Sequence, residues 1–370
     1  IVTSGSVFAY DVGDTRNSFR GEPAVNLVPN ADTMANWGSY SAGNDGTFIT
    51  EFGTTGYRVR NKNTWNGIAR GITLPTPGTY TISAWFRIWG KSSGNNGINV
   101  YTSGGGISDT AQGGDDTRIG EWQRISMTRT YTTTSFTFYI ISWGGTSGVD
   151  WSSWDVTKPQ VELKSHVTPF IAGTRSATQG LLDLTGNNTI DLSNVSFDSN
   201  AQMTFDGTND GLIISDSQYN KTNGQPLTVE VVMKPGRNAG QYQDIVVNRS
   251  NSLYNWMLYQ HTTDGSIQMH GAAQNKSSYI PSLGQNIHVV ATITSGQIST
   301  LYVNGDVKQV VNGYTYAGMS PSSLCIGVFG TGRYEPYLGD IPAAKIYNRA
   351  LTAAEVNQNY RHYKTRFNLS

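Results

Sequence analysis

Along most of this chain apolar residues recur at every second position in short runs, and only near the end do they recur at helical spacing. In the run TYTISAWFRIW, residues 79 to 89, Tyr80, Ile82, Ala84, Phe86 and Ile88 share one face. Thr79, Thr81, Ser83, Trp85, Arg87 and Trp89 share the other, the pattern of an antiparallel strand buried on one side. Other strand-like runs are TFITEF, YRVR, INVYTS, SFTFYIIS and WDVTKPQVEL in the first half, several of them alternating, and PLTVEVVMKP, NWMLYQH, IHVVATI and SLCIGVFG in the second. TLYVNGDVKQVV predicts a hairpin, because Asn304-Gly305 accepts the positive φ angles of a type I′ turn. The exception to period two lies within residues 338 to 367. There Thr352 stands three residues ahead of Glu355 as a capping box, and Leu351 and Val356 hold the positions of a hydrophobic staple. Val356, Tyr360, Tyr363 and Phe367 then share one helix face, which needs a sheet to pack on. The pattern predicts an all-β chain of two antiparallel β-sandwich (jelly-roll) domains with one short C-terminal helix.

Turn-rich stretches suggest the boundaries. Residues 1 to 25 hold one strand-like run followed by the polar DVGDTRNSFRGEP and are expected to form an N-terminal arm or connector. Residues 26 to 170 would be the first sandwich and 177 to 370 the second, with VTPFIAGTRSATQG between them as linker.

Composition narrows the function. With 370 residues the chain is long enough for two cores, and 42 Gly and 20 Tyr against 14% charged residues suit many strands joined by tight turns. A formal net charge of zero, with no run of Lys or Arg, argues against nucleic acid and against an anionic membrane surface. No stretch is apolar enough to insert in a membrane, and the opening IVTSGSVFAY lacks the regions of a signal peptide; without an initiator Met, a processed form or a piece of a longer chain is expected. The single cysteine, Cys325, lies among Leu324, Ile326 and Val328 and is expected to be buried in a strand. The five histidines lack zinc-site spacing and are expected to be scattered on the surface.

Three resemblances follow. NLVPNADTMANWGSY, with the closing WDVTKPQVEL, resembles β-sandwich carbohydrate-binding modules of glycoside hydrolases. YDVGDTRNSFRGEPAVNLV, paired with PQVELKSHVTPFIAGTRS, is similar to bacteriophage virion proteins. FDGTND, LTVEVVMKP, LYVNG, LGD and IYNRALTAAEV, in that order, resemble the concanavalin A-like, laminin G-type jelly roll. That last likeness implies that opening and closing strands pair, Met203 to Phe205 beside Lys345 to Tyr347. Jelly rolls of both kinds often hold Ca²⁺. Asp206, Asn209 and Asp210 crowd one turn, Asp340 would approach them, and Asp155 opens the last strand of the first domain, so all five are candidate ligands of a structural Ca²⁺.

Sugar binding needs aromatic rings to stack on apolar pyranose faces, flanked by polar groups. Candidates are Trp143, Trp151 and Trp154 in one loop, Trp85 and Trp89 on one strand, Tyr254 and Trp256 in YNWMLYQ, and Tyr334 in GRYEPY. No E-x-D-x-x-E carboxylate pair of a retaining glycosidase is present; Glu230 and Glu162 stand alone and are expected to face solvent or pair with Lys. G-x-S-x-G and G-x-x-x-x-G-K are likewise missing. The expectation is a non-enzymatic phage virion component, a fibre or decoration protein that binds glycans. Its partners would be other virion proteins, further copies of itself and cell-surface glycans, in a particle assembled in a host cytoplasm. The alternatives are a purely structural self-assembling protein and a fragment of a secreted carbohydrate-active enzyme.

Overall fold

The computed structural model describes residues 1–40, 47–61, 65–94, 97–143, 146, 149–273, 277 and 279–369. Among these the strands all pair antiparallel, and the one α-helix is Ala353–Arg366. The chain forms two compact units, one nested within the other along the sequence. The framing unit comprises Ile1–Pro23, Ser176–Asp198 and Gln202–Ser370; the nested unit comprises Ala24–Arg175 with Ser199–Ala201.

In the framing unit, the strand Leu227–Pro235 lies between Leu338–Tyr347 and Ile287–Ile293 in an eight-stranded sheet. A five-stranded sheet that includes Gln243–Ser250 and Leu253–Gln260 closes the sandwich, and Val229, Val231, Met233, Val246, Trp256 and Leu258 belong to the core between them. The other face of the large sheet is covered by the helix. Leu351 and Val356 pack with Val290, Tyr302 and Tyr347, while Tyr363 packs with Val232 and Ala343. Because both faces are buried, Leu227–Pro235 reads as nearly continuous apolar sequence. The capping box is present as expected: Thr352 Oγ1 accepts from Glu355 N–H, and Glu355 Oε2 accepts from Thr352 N–H at 2.9 Å. Arg349 grips the same carboxylate at 2.7 Å and is the first reason its pKa falls to about 2.

Four expectations give way here. Residues 1 to 25 are not a free arm: Ser6–Asp11 pairs with Ala343–Tyr347 and is a strand of the framing sheet. That strand takes the place expected for Met203 to Phe205, which pair instead lower down, Phe205 with Gly339 and Asp206 with Leu338. Glu230 and Glu162 are buried rather than solvent-facing. Glu162 accepts from Thr168 N–H at 2.9 Å and from Thr168 Oγ1 at 2.7 Å, in the segment that folds back over its sheet. His261 and His288 are buried too, so the histidines are not all on the surface.

Glu230 is the centre of a network under the helix. Its Oε1 lies 2.7 Å from His288 Nε2, and its Oε2 accepts from Tyr347 Oη at 2.8 Å and Asn359 Nδ2 at 3.0 Å. Asn359 Oδ1 in turn accepts from Val2 N–H at 2.7 Å. Burial alone would push the Glu230 carboxyl up, but its contact with His288, the charge of Lys345 and the Tyr347 bond outweigh it and hold the pKa below the usual range.

The nested unit packs two five-stranded sheets around Tyr80, Ile82, Ala84, Phe86, Ile88, Phe138, Trp154 and Val156, so the alternation read in TYTISAWFRIW is realised. Gly78–Lys91 sits between Gln123–Tyr131 and Ser152–Glu162, with Thr54–Asn61 and Thr47–Glu51 beyond.

Val356→Asp places an unpaired charge among apolar side chains and should destabilise the framing unit by about 3–5 kcal/mol, read as a large fall in Tm. Glu230→Gln should cost about 3 kcal/mol at neutral pH through weakened charged hydrogen bonds. A carboxylate held below its ordinary pKa stabilises the fold above that range and loses this contribution as pH falls through it. The gap between wild type and Glu230→Gln in urea melts should therefore narrow on going from neutral to strongly acid pH.

Candidate functional site

The outer face of one nested sheet gathers a group of accessible aromatic rings. Trp85, Arg87 and Trp89 point outward from Gly78–Lys91 by the same alternation that sends Phe86 and Ile88 into the core. Asp155, opposite Arg58 and Arg87 in the ladders, organises them. Its Oδ1 accepts from Arg58 Nε at 2.7 Å, and its Oδ2 accepts from Arg87 Nη2 at 2.9 Å and Trp89 Nε1 at 2.7 Å. Burial would raise the Asp155 pKa, but these three donors lower it below the ordinary value. Arg87 also bonds Glu51 at 2.8 Å, and its guanidinium lies between two indoles, 4.3 Å from the Trp89 ring and 4.6 Å from that of Trp122. Trp89 remains 43% exposed.

Phe52 completes this face. Phe52 and Gly53 join Thr47–Glu51 to Thr54–Asn61 with φ of 51° and 73°, the two positive angles of a type I′ turn. A bulky side chain rarely occupies the left-handed region. Phe52 is 55% exposed, with its ring 5.3 Å from Trp122 and 6.3 Å from Trp85. Beside it a cavity of about 400 Å³ is lined by Phe52, Trp85, Arg124, Lys158, Pro169 and Phe170.

The other candidates distribute differently. Trp154 is 1% exposed and Trp256 is 0% exposed; both are core, so neither is a sugar platform. Trp143 lies on the second nested sheet, edge-on to Tyr101 at 6.2 Å, and Trp151 is exposed over Gly90, so the loop tryptophans do not converge. Gly144, Gly145, Ser147 and Gly148 of that loop lie outside the described residues. In the framing unit a bulge that leaves Asn255 unpaired turns Tyr254 away from Trp256, to a hollow of about 180 Å³ lined by Tyr242, Arg249, Tyr254, Tyr259, His270 and Glu335, among others. Arg249 and Glu335 pair there at 2.8 Å. Behind them Asp244 is buried, its carboxyl driven well above the usual range first by burial and then by the charge of Glu335. Tyr334 is exposed, 5.3 Å from Phe329.

Four of the five expected calcium ligands, Asp155, Asp206, Asp210 and Asp340, make other contacts, while Asn209 is exposed. Asp155 is surrounded by two guanidiniums and an indole N–H, which repel a cation. Asp206 Oδ1 accepts from the N–H groups of Thr208 and Asn209, and Asp210 Oδ2 from those of Ser196 and Asp206, the hydrogen bonding of a polar turn. Asp340 lies 3.5 Å from Lys234 Nζ rather than joining that turn. Among the described residues no three His, Cys, Asp or Glu side chains converge on a metal-sized site. Cys325 is buried as expected, its thiol pushed up to about 12 by burial.

Sequence reading missed Phe52, Trp122, Arg87 and Lys158. The signal for the first was present: Phe-Gly stands between two alternating runs, a two-residue hairpin gap, although TFITEF reads more simply as unbroken strand.

Residues 206–357 match the family described as the concanavalin A-like lectin/glucanases superfamily. This segment of the framing unit is a jelly roll of the concanavalin A-like, laminin G type. No curated protein sequence matches the chain. Among solved structures, the chain is similar to domain 4 of AbnA, a GH43 extracellular arabinanase from Geobacillus stearothermophilus, in complex with arabinotriose. The identity is 17%, with 50% of this chain and 92% of that one covered and a TM-score of 0.38. It is also similar to the binding domain of Paraclostridial Mosquitocidal Protein 1, at 18% identity, with 50% and 49% covered and a TM-score of 0.37. A third is the botulinum neurotoxin serotype D binding domain, at 15% identity, with 52% and 50% covered and a TM-score of 0.39. The chain spans about half the length of these last two.

Trp256→Ala, in the core, should cost the framing unit about 3–5 kcal/mol. Trp151→Ala, at the surface of the nested unit, should change stability by under about 1 kcal/mol. Urea unfolding of the two variants checks the assignment.

Proposed function

We propose that this chain is a non-enzymatic glycan-binding protein and that the nested sheet's outer face is its binding surface. The single observation that carries this reading is the cluster of Trp85, Trp89, Trp122 and Phe52 around the Arg58–Asp155–Arg87 ion pairs. Accessible rings offer stacking surfaces for pyranose faces, and fixed guanidinium and carboxylate groups beside them serve sugar hydroxyls. The ion pairs hold Arg87 and Trp89 in place before a ligand arrives, which lowers the ordering cost of binding. Asp155 accepts from both guanidiniums and an indole, which leaves it poorly placed for acid–base work on a glycosidic bond. A phage virion, as a fibre or decoration protein, is the setting we propose for this binding. It rests on the similarity of the opening segment paired with PQVELKSHVTPFIAGTRS, and mass spectrometry of purified particles tests it.

A purely structural role is the second reading. Phe48 at 63% exposure, 5.2 Å from Tyr57, is also what a surface between copies would present.

A glycan array followed by calorimetry on the best hit is the test. Trp122→Ala should weaken binding by about tenfold or more, worth about 1.4 kcal/mol, without lowering Tm appreciably. Trp89→Ala should weaken binding and also lower Tm, because it takes a donor from buried Asp155. Failure of every glycan to bind, with concentration-dependent self-association lost on Phe48→Ser, would favour the structural reading instead.

A further inference from the structure

The cavity beside Phe52 carries charge that the glycan-binding reading does not use. Lys158 stands at a bulge in Ser152–Glu162, where Thr157 faces Trp85 and Gln160 faces Ser83, so the chain has one residue too many. Its φ is 52°, left-handed, and it precedes Pro159, whose ring disfavours helical conformations in the residue before it. This backbone aims the side chain into the cavity, where the ammonium lies 4.7 Å from the Phe52 ring and 5.7 Å from that of Phe170. Phe52 is itself left-handed. Two side chains on unfavourable backbone therefore meet across one cavity, the kind of local strain that clusters at binding sites.

The second cation is Arg124. It donates to Thr168 O at 2.7 Å and to Ser83 Oγ at 2.9 Å, while its buried Nε has no partner. Glu162, covered by Thr168, supplies its counter-charge. Among the described residues no carboxylate forms an ion pair with Lys158; the charge that acts on it is that of Arg124, which repels it. A partly desolvated ammonium between phenyl rings and beside a guanidinium is an unbalanced site, and an anion relieves it.

We propose that this cavity binds an acidic sugar of the hexuronate class: the carboxylate meets Lys158 in the field of Arg124, and the ring stacks on Phe52 and Phe170. The volume, about 400 Å³, is at the lower end of small-molecule pockets and fits a sugar unit rather than a large ligand. The inference rests on the glycan-binding reading and adds the charge of the sugar.

Calorimetry of the whole chain with trigalacturonate and with its neutral methyl ester tests it. The acid should bind about tenfold more tightly than the ester, the preference should shrink with added salt, and Lys158→Gln should abolish it while the ester still binds. Lys158→Gly removes the charge and relieves the left-handed backbone, so it should lose the preference while Tm rises, which separates lost binding from lost folding. Equal affinity for acid and ester, or a preference that survives both Lys158 substitutions, overturns the acidic-sugar assignment. So does failure of both probes while neutral glycans bind to the Trp89 surface, and that outcome leaves the broader reading standing. Failure of every glycan, acidic or neutral, overturns both.

Discussion

A sandwich buries one face of each sheet, and what happens to the other face is decided in both units by a carboxylate on a central strand. Glu230 and Asp155 each stand on the outer side, where a lone carboxylate would be solvated. Each is buried instead and surrounded by donors. Glu230 draws in His288, Tyr347 and Asn359 and is sealed by the helix; removing one member of such a network strands the rest in a dry setting. Asp155 draws in Arg58, Arg87 and Trp89 and no helix covers them, so the same device yields a rigid surface that stays accessible.

That difference explains which parts were legible in sequence. The helix was, because its cap, staple and apolar face are local signals that tertiary packing left intact, and Thr352, Glu355, Leu351 and Val356 all act as their spacing implies. The inward face of TYTISAWFRIW was legible for the same reason. Asn359 was not: a polar residue on the buried side of a helix reads as an error in the pattern until its partner Glu230, 129 positions away, is known. The N-terminal strand was also illegible, since a short alternating run does not declare which edge it will join, and here it displaced the Met203 to Phe205 pairing that a simpler sandwich would use.

At the candidate site, alternation placed Trp85 and Trp89 correctly on the outer face, whereas Trp154 was grouped with the loop tryptophans because the run of Gly and Ser ahead of it concealed the start of a core strand. Lys158 was illegible, and Phe52 easily passed over despite its Phe-Gly gap, for a more basic reason: each violates the local preference of its residue type. Natural sequences agree with their folds at most positions, and disagreement concentrates where something other than stability is being selected.

The two pockets differ in how their charge is balanced, and this decides which of them carries a ligand inference. In the framing unit Arg249 is already paired with Glu335 at 2.8 Å, and Asp244 is held well above its usual pKa by burial and by that neighbouring carboxyl, so its ionisation is disfavoured. Charge there is accounted for within the protein. In the nested unit Arg124 has Glu162 behind it but Lys158 has phenyl rings, whose faces attract a cation by about 0.5–2 kcal/mol and do not neutralise it. Lys158 holds that ammonium in place on left-handed backbone, at a cost of order 1–3 kcal/mol. On the acidic-sugar proposal, an anion that completes the site offsets that cost.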